Sequence, residues 1–200
     1  MKLSLTILLF CFIIIFQGCV AVVATGVAAG AATGVSTAYD RRTFNTVIDD
    51  QSIELKASAA LRNDQELHEN THINVTSYNG IVLLTGEAPS KELKKKAAEL
   101  VKPISDVKQI YNEVDILAPS SLVSRSSDSW ITTKVKTKMT ARKGLNPARI
   151  KVVTERGTVY LMGLVTPQEA ERAVAVTSHT GGTQRVVKIF EYLHETALEQ

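Results

Sequence analysis

The chain has no cysteine after residue 19; its two, Cys11 and Cys19, both stand at the extreme N-terminus. Everything beyond therefore lacks a disulfide, a thiolate nucleophile and a cysteine metal ligand. Histidine is scarce as well: His68, His72, His179 and His194 are scattered, with no zinc-type spacing. His68 and His72 lie four apart beside Glu66 and Glu69, but no further ligand is implied, so that stretch reads as a solvated helix end or loop. No Gly-x-Ser-x-Gly, no phosphate loop and no acid/base pair is present, so no enzyme, metal, cofactor or small-molecule substrate is expected. The net charge of +3 is too mild to imply a polyanion, and no aromatic stacking pair is visible, which argues against nucleic acid. With 44% hydrophobic and 22% charged residues, the composition is that of a folded protein.

What is present begins with an address. Lys2 supplies one positive charge, and Leu3 to Phe16 is an uncharged apolar run of signal-peptide length. Phe16-Gln-Gly-Cys19 follows, and a small residue before cysteine after such a run resembles the lipobox of bacterial lipoproteins. That resemblance implies cleavage before Cys19, a diacylglycerol on its sulfur and an acyl chain on its amine. Val20 after the cysteine favours the outer membrane by the same analogy. Such an anchor is effectively permanent at about 0.8 kcal/mol per buried methylene. An uncleaved transmembrane anchor is the alternative. Val20 to Ala38 carries no charge and places Gly26, Gly30 and Gly34 four apart. This suits either a tether or a small-residue helix of about 28 Å packed on the membrane.

The remainder is one unit written twice. Ile73-Asn-Val-Thr-Ser-Tyr-Asn-Gly-Ile-Val-Leu-Leu-Thr-Gly86 aligns with Ile150-Lys-Val-Val-Thr-Glu-Arg-Gly-Thr-Val-Tyr-Leu-Met-Gly163 at a constant offset of 77. Asp50, Ile53 and Lys56 match Asp128, Ile131 and Lys134 at offset 78. Each copy predicts a helix, a hairpin turning at Asn79-Gly80 or Arg156-Gly157, a second helix and a last strand. The helical stripes are Ile53, Ala57, Ala60 and Leu61 in one copy and Ile131, Val135 and Met139 in the other. The second helices run over 90–101 and 167–178, and the last strands over 109–117 and 185–193. The expected class is α+β: two tandem α-β-β-α-β domains, each a three-stranded mixed sheet with two helices on one face. The boundaries are signal peptide 1–18, lipidated cysteine and tether 19–48, first domain 49–117, linker 118–127, second domain 128–194 and tail 195–200.

The α-β-β-α-β unit with Gly80-Ile-Val-Leu-Leu-Thr-Gly86 and Gly157-Thr-Val-Tyr-Leu-Met-Gly163 resembles the BON domain. Two copies behind a lipobox, with Tyr111-Asn-Glu113, Trp130-Ile-Thr-Thr-Lys-Val135 and Leu161-Met-Gly-Leu-Val-Thr166, resemble the dual-BON outer-membrane lipoproteins. The resemblance covers essentially the whole chain. It implies a periplasm-facing protein that binds anionic phospholipids such as phosphatidylglycerol through the first helix of its second domain. It further implies support of envelope integrity, enrichment at division sites and a link to outer-membrane protein assembly machinery.

The copies differ in charge. Residues 50–117 carry 8 basic and 11 acidic residues, net −3, whereas residues 128–193 carry 11 and 5, net +6. Much of the excess falls on one helix, as Lys134, Lys136, Lys138, Arg142 and Lys143, with no acid from Trp130 to Lys143. Trp130, the only tryptophan, stands where the first copy has Ser52, about 140° from the centre of the apolar stripe. An amphipathic ring on a basic helix suits a membrane interface; packing of Trp130 on the other domain or the linker is the competing reading. The expected lipid-binding set is Trp130, Thr133, Lys134, Thr137, Lys138, Arg142 and Lys143, with Leu145 and Leu164 inserting from adjacent loops. The competing function is a protein-interaction adaptor, docking an envelope protein through the acidic first domain or the basic helix.

Overall fold

The structure is a computed structural model that describes residues 40–118 and 122–193. Cys19, Val20 to Ala38 and the tail 195–200 lie outside the described residues, which all fall within one compact unit. The first domain contains α1 (Phe44–Asn63), α2 (Gln65–Asn70), β1 (His72–Tyr78), β2 (Ile81–Ala88), α3 (Lys91–Val101), β3 (Gln109–Asn112) and β4 (Asp115–Ile116). The second contains α4 (Leu122–Ala141), a 3-10 turn (Pro147–Arg149), β5 (Ile150–Glu155), β6 (Thr158–Val165), α5 (Pro167–Ser178) and β7 (Arg185–Tyr192). In each sheet the hairpin is antiparallel and its second strand pairs in parallel with the last strand, the product of a helical crossover.

Two differences from expectation have local causes. The first domain's last strand breaks at Glu113–Val114, so that β4 makes a separate pairing with β2 and the sheet counts four strands. Asn112 causes the break: its side-chain nitrogen donates to the Lys94 carbonyl and its oxygen accepts the Val114 N–H, turning Val114 into the core. Both first helices also begin earlier than the expected boundaries, at Phe44 rather than after 48 and at Leu122 within the expected linker. Thr43 caps α1 by accepting the Thr46 N–H at 3.2 Å. The serine-rich stretch ahead of Asp128 contains no proline or glycine to stop a helix.

The two aspartates that repeat at offset 78 tie helix to hairpin. Asp50, on α1, accepts the Asn79 and Gly80 N–H groups at 2.7 and 2.9 Å. Asp128, on α4, accepts those of Arg156 and Gly157, both at 2.9 Å. These turns need left-handed backbone, at φ 54° for Asn79 and 49° for Arg156, and the carboxylates hold them there. The glycines that close the repeated motif answer a close approach: a Cβ on Gly86 would collide with the His72 carbonyl, and one on Gly163 would lie 2.6 Å from that of Arg149.

Within each domain the two long helices cover one sheet face. Ile53, Ala57, Leu61, Leu93, Ala97 and Val101 close over Val82 and Leu84; Ile131, Val135, Met139, Ala170 and Ala173 close over Val159 and Leu161. The opposite faces meet each other. Tyr78, Ile81 and Leu83 of the first sheet pack with Tyr160, Met162 and Ile189 of the second, so β2 is buried along its whole length. The layers run helix, sheet, sheet, helix. Polar contacts line this seam: Tyr78 Oη donates to the Arg149 carbonyl, Lys151 Nζ to Glu54 at 2.6 Å, and Asn79 Nδ2 to Glu191 at 2.7 Å.

The segment before α1 is docked at the seam rather than forming a tether up to residue 48. Arg42 pairs with Asp50 at 2.7 Å and stacks over the Tyr78 ring, 3.9 Å from its centroid. Arg41 reaches the second domain, bonding the Leu164 carbonyl and Glu169. Burial alone would raise the Glu169 carboxyl, but bonds from Arg41, the Thr166 N–H and Arg149 outweigh it and hold the group below its ordinary value.

Replacing Asp128 with alanine leaves the buried Gly157 N–H and the half-buried Arg156 N–H without their acceptor and is expected to cost about 3 kcal/mol in urea unfolding; asparagine should retain part of this. Burial pushes Tyr78 and Tyr160 up to about 12 each, so their unfolded-state values lie below their folded ones. Their contribution to stability is therefore complete below the ordinary tyrosine value and lost as pH rises toward 12. Thermal melts of a Tyr78→Phe/Tyr160→Phe variant should fall less steeply with alkali than those of the parent.

Candidate functional site

Helix α4 buries Ile131, Val135 and Met139 and turns its opposite side to solvent. On that side Trp130 is 63% exposed, which places it in neither the seam nor the core. Thr133 and Thr137 flank it and are exposed. The hydroxyls of Ser129, Thr133 and Thr140 donate to carbonyls four residues earlier, at 3.1, 2.9 and 3.0 Å. These groups therefore need not keep water, which lowers the cost of drying the face.

The basic residues divide into two sets. Lys134 donates to the Gly181 carbonyl and Lys138 to that of His179 at 3.0 Å, so both sit against the C-terminal end of α5, where cations are favoured. Arg142 and Lys143 lie beyond the end of α4 and are exposed. They share an open cavity of about 590 Å³ with Gly144 and Arg172 of α5. Arg172 Nη1 donates to the Gly144 carbonyl at 3.0 Å, leaving its remaining N–H groups toward the cavity. Among the described residues, none of Lys134, Lys136, Lys138, Arg142, Lys143 and Arg172 pairs with a carboxylate, whereas Arg41, Arg42, Lys96, Lys151 and Arg156 all do. The cations around α4 thus stand without carboxylate partners, in the half of the chain whose net charge is positive.

Arg172 has no signal in the sequence that links it to Arg142 and Lys143, because helix packing alone brings it there. Two expected members are corrected. Leu145 is 8% exposed and belongs to the core beneath α4, since the turn after Gly144 directs it inward. Leu164 packs against the seam, because alternation along β6 points it toward the first domain. Neither is an exposed side chain. His68 lies in α2 and His72 opens β1; both line one open cavity of about 320 Å³, but among the described residues His68 joins no cluster of metal-ligating groups.

The BON domain matches residues 49–118 and 127–193, the two repeats just described. The chain belongs to the BON domain family. It is a tandem BON protein similar to outer membrane lipoprotein DolP of Haemophilus influenzae, 38% identical over 180 residues, 90% of this chain and 91% of that one. It is also similar to a 21 kDa hemolysin of Actinobacillus pleuropneumoniae, 36% identical over 154 residues, 77% of this chain and 79% of that one. Among the described residues of these BON domains, no helix is long and apolar enough to cross a membrane.

The burial of Leu145 generates a prediction. Leu145→Ala should cost about 2–4 kcal/mol of stability in denaturant unfolding, while leaving the affinity of the folded fraction for vesicles unchanged.

Proposed function

We propose that the chain is a non-enzymatic outer-membrane lipoprotein, anchored through lipidated Cys19 and facing the periplasm, whose second BON domain binds anionic phospholipid through α4. The observation that carries this reading is Trp130, 63% exposed beside the uncompensated cations of α4. The similarity to the Haemophilus outer membrane lipoprotein supports the anchor and the location. Trp130 stands eleven residues before Ala141, the last residue of α4, about 17 Å along the axis, so α4 lies flat on the bilayer with the aromatic near its middle and Arg142 and Lys143 just past its C-terminal end. Trp130 enters the boundary between headgroups and acyl chains. Arg142, Lys143 and Arg172 meet phosphates, while Lys134 and Lys138 add field from the side.

Each cation near an anionic leaflet contributes about 1 kcal/mol, a weak force alone. The anchor raises the local concentration, so weak affinity suffices. Support of envelope integrity, enrichment at division sites and contact with outer-membrane protein assembly machinery follow from the family resemblance, with no role for nucleic acid. A second reading, as a protein adaptor, draws on α1: Phe44, Ile48 and Leu55 are exposed within about 40° of one another on its outer face.

Residues 39–200 should cosediment with phosphatidylglycerol-containing vesicles and not with neutral ones. Trp130→Glu should abolish this with the circular dichroism spectrum intact, and reversing Arg142, Lys143 and Arg172 to Glu should weaken it at least about 100-fold. Unchanged binding in these variants would sink the assigned face. Lipid-independent partner binding lost in Phe44→Ser/Leu55→Ser would favour the adaptor.

A further inference from the structure

We infer that His72, Glu87 and Glu155 form a binding site for one divalent transition-metal ion of the zinc class where the two domains meet. His72 and Glu87 are direct partners across the β1–β2 ladder, and Glu155 comes from the end of β5 in the other domain. One ring nitrogen and one oxygen from each carboxylate all lie within 4.8 Å of one another. Glu87 decides the matter. It is 0% exposed, and neither of its carboxylate oxygens accepts a hydrogen bond; the Nδ1 atom of His72, 3.3 Å from one of them, is likewise unbonded.

A buried carboxylate without hydrogen bonds is costly, and proteins supply such a group with a partner. The neighbours present offset its charge without donating a hydrogen bond to it. Arg156 stands 3.9 Å from Glu87, beyond hydrogen-bond range, and is shared with Asp115 at 4.0 Å. Asn74 donates to one oxygen of Glu155 at 3.2 Å, Arg125 adds positive charge near that carboxylate, and Asp128 is committed to its turn. Zinc-class ions bind imidazole and carboxylate at about 2.0–2.2 Å, which puts tetrahedral ligand atoms roughly 3.4 Å apart, so side chains now within 4.8 Å of one another would rotate inward to close on the ion. The imidazole disfavours magnesium and calcium. A cavity of about 220 Å³, lined by His72, Asn74, Arg125, Asp128, Thr132 and Glu155 among others, adjoins the site and leaves room for a water as fourth ligand. An ion there would join β1 and β2 of the first domain to β5 of the second.

The spacing of His68 and His72 hides this arrangement, because the other two ligands are 15 and 83 residues away from His72. It departs from the expectation of no metal.

The test is calorimetric titration of the full chain, in detergent and phosphate-free buffer, with Zn²⁺ alone, alongside thermal melts. One ion per chain is expected, with a higher melting temperature at saturation. His72→Gln and Glu87→Gln should each weaken binding at least about tenfold. Glu87→Gln removes a buried charge, so its metal-free melting temperature should equal or exceed that of the parent. Glu155→Gln, nearer the cavity, serves as a further ligand deletion should either inner variant misfold. Absence of stoichiometric binding, or binding that survives the ligand substitutions, would overturn the proposal.

Discussion

The packing of one sheet's back on the other is the contact from which the rest of the molecule follows. Each domain is small and closes its own helices over one face only, leaving Ile81 and Leu83, or Tyr160 and Met162, with nothing else to bury against. Back-to-back packing removes both faces from water at once. Side chains of that size contribute about 1.5–3 kcal/mol each when buried, so neither half is well stabilised alone. The same packing sends all four long helices outward. An exposed α4 is therefore a consequence of the seam, as is the docking of Arg41 and Arg42 beside it.

Duplication explains which residues were free to diverge. Asp50 and Asp128 do the same work in both copies, holding left-handed turns, and so do the paired glycines of the hairpins. The outer faces of the first helices carry no such duty. There α1 presents Phe44, Ile48 and Leu55 beside acidic residues, while α4 presents Trp130 and cations. Two helices equivalent in fold thus offer surfaces of different chemistry.

Much of the fold was legible because its signals are local. The hairpins were marked by Asn79-Gly80 and Arg156-Gly157, and the first helices by the stripes of Ile53, Ala57 and Leu61 and of Ile131, Val135 and Met139. Exposure of Trp130 followed from its angle to Ile131, Val135 and Met139. What remained hidden depends on contacts between distant elements. Periodicity reports that a residue is buried, not against what; Leu164 was apolar near a loop, and only the seam shows which side it faces. Arg172, Glu87 and Glu155 likewise acquire their neighbours through packing of helices and domains. The uninterrupted runs Ile81-Val-Leu-Leu84 and Val159-Tyr-Leu-Met162 did carry the sign of burial on both faces.

The central functional claim concerns one side chain, and that side chain is the chain's sole tryptophan. Fluorescence of residues 39–200 during titration with vesicles reads Trp130 without a label. The account predicts an initially solvent-exposed spectrum that shifts to the blue with phosphatidylglycerol-containing vesicles and stays fixed with neutral ones. A spectrum unmoved by anionic vesicles, or moved equally by both kinds, would contradict it.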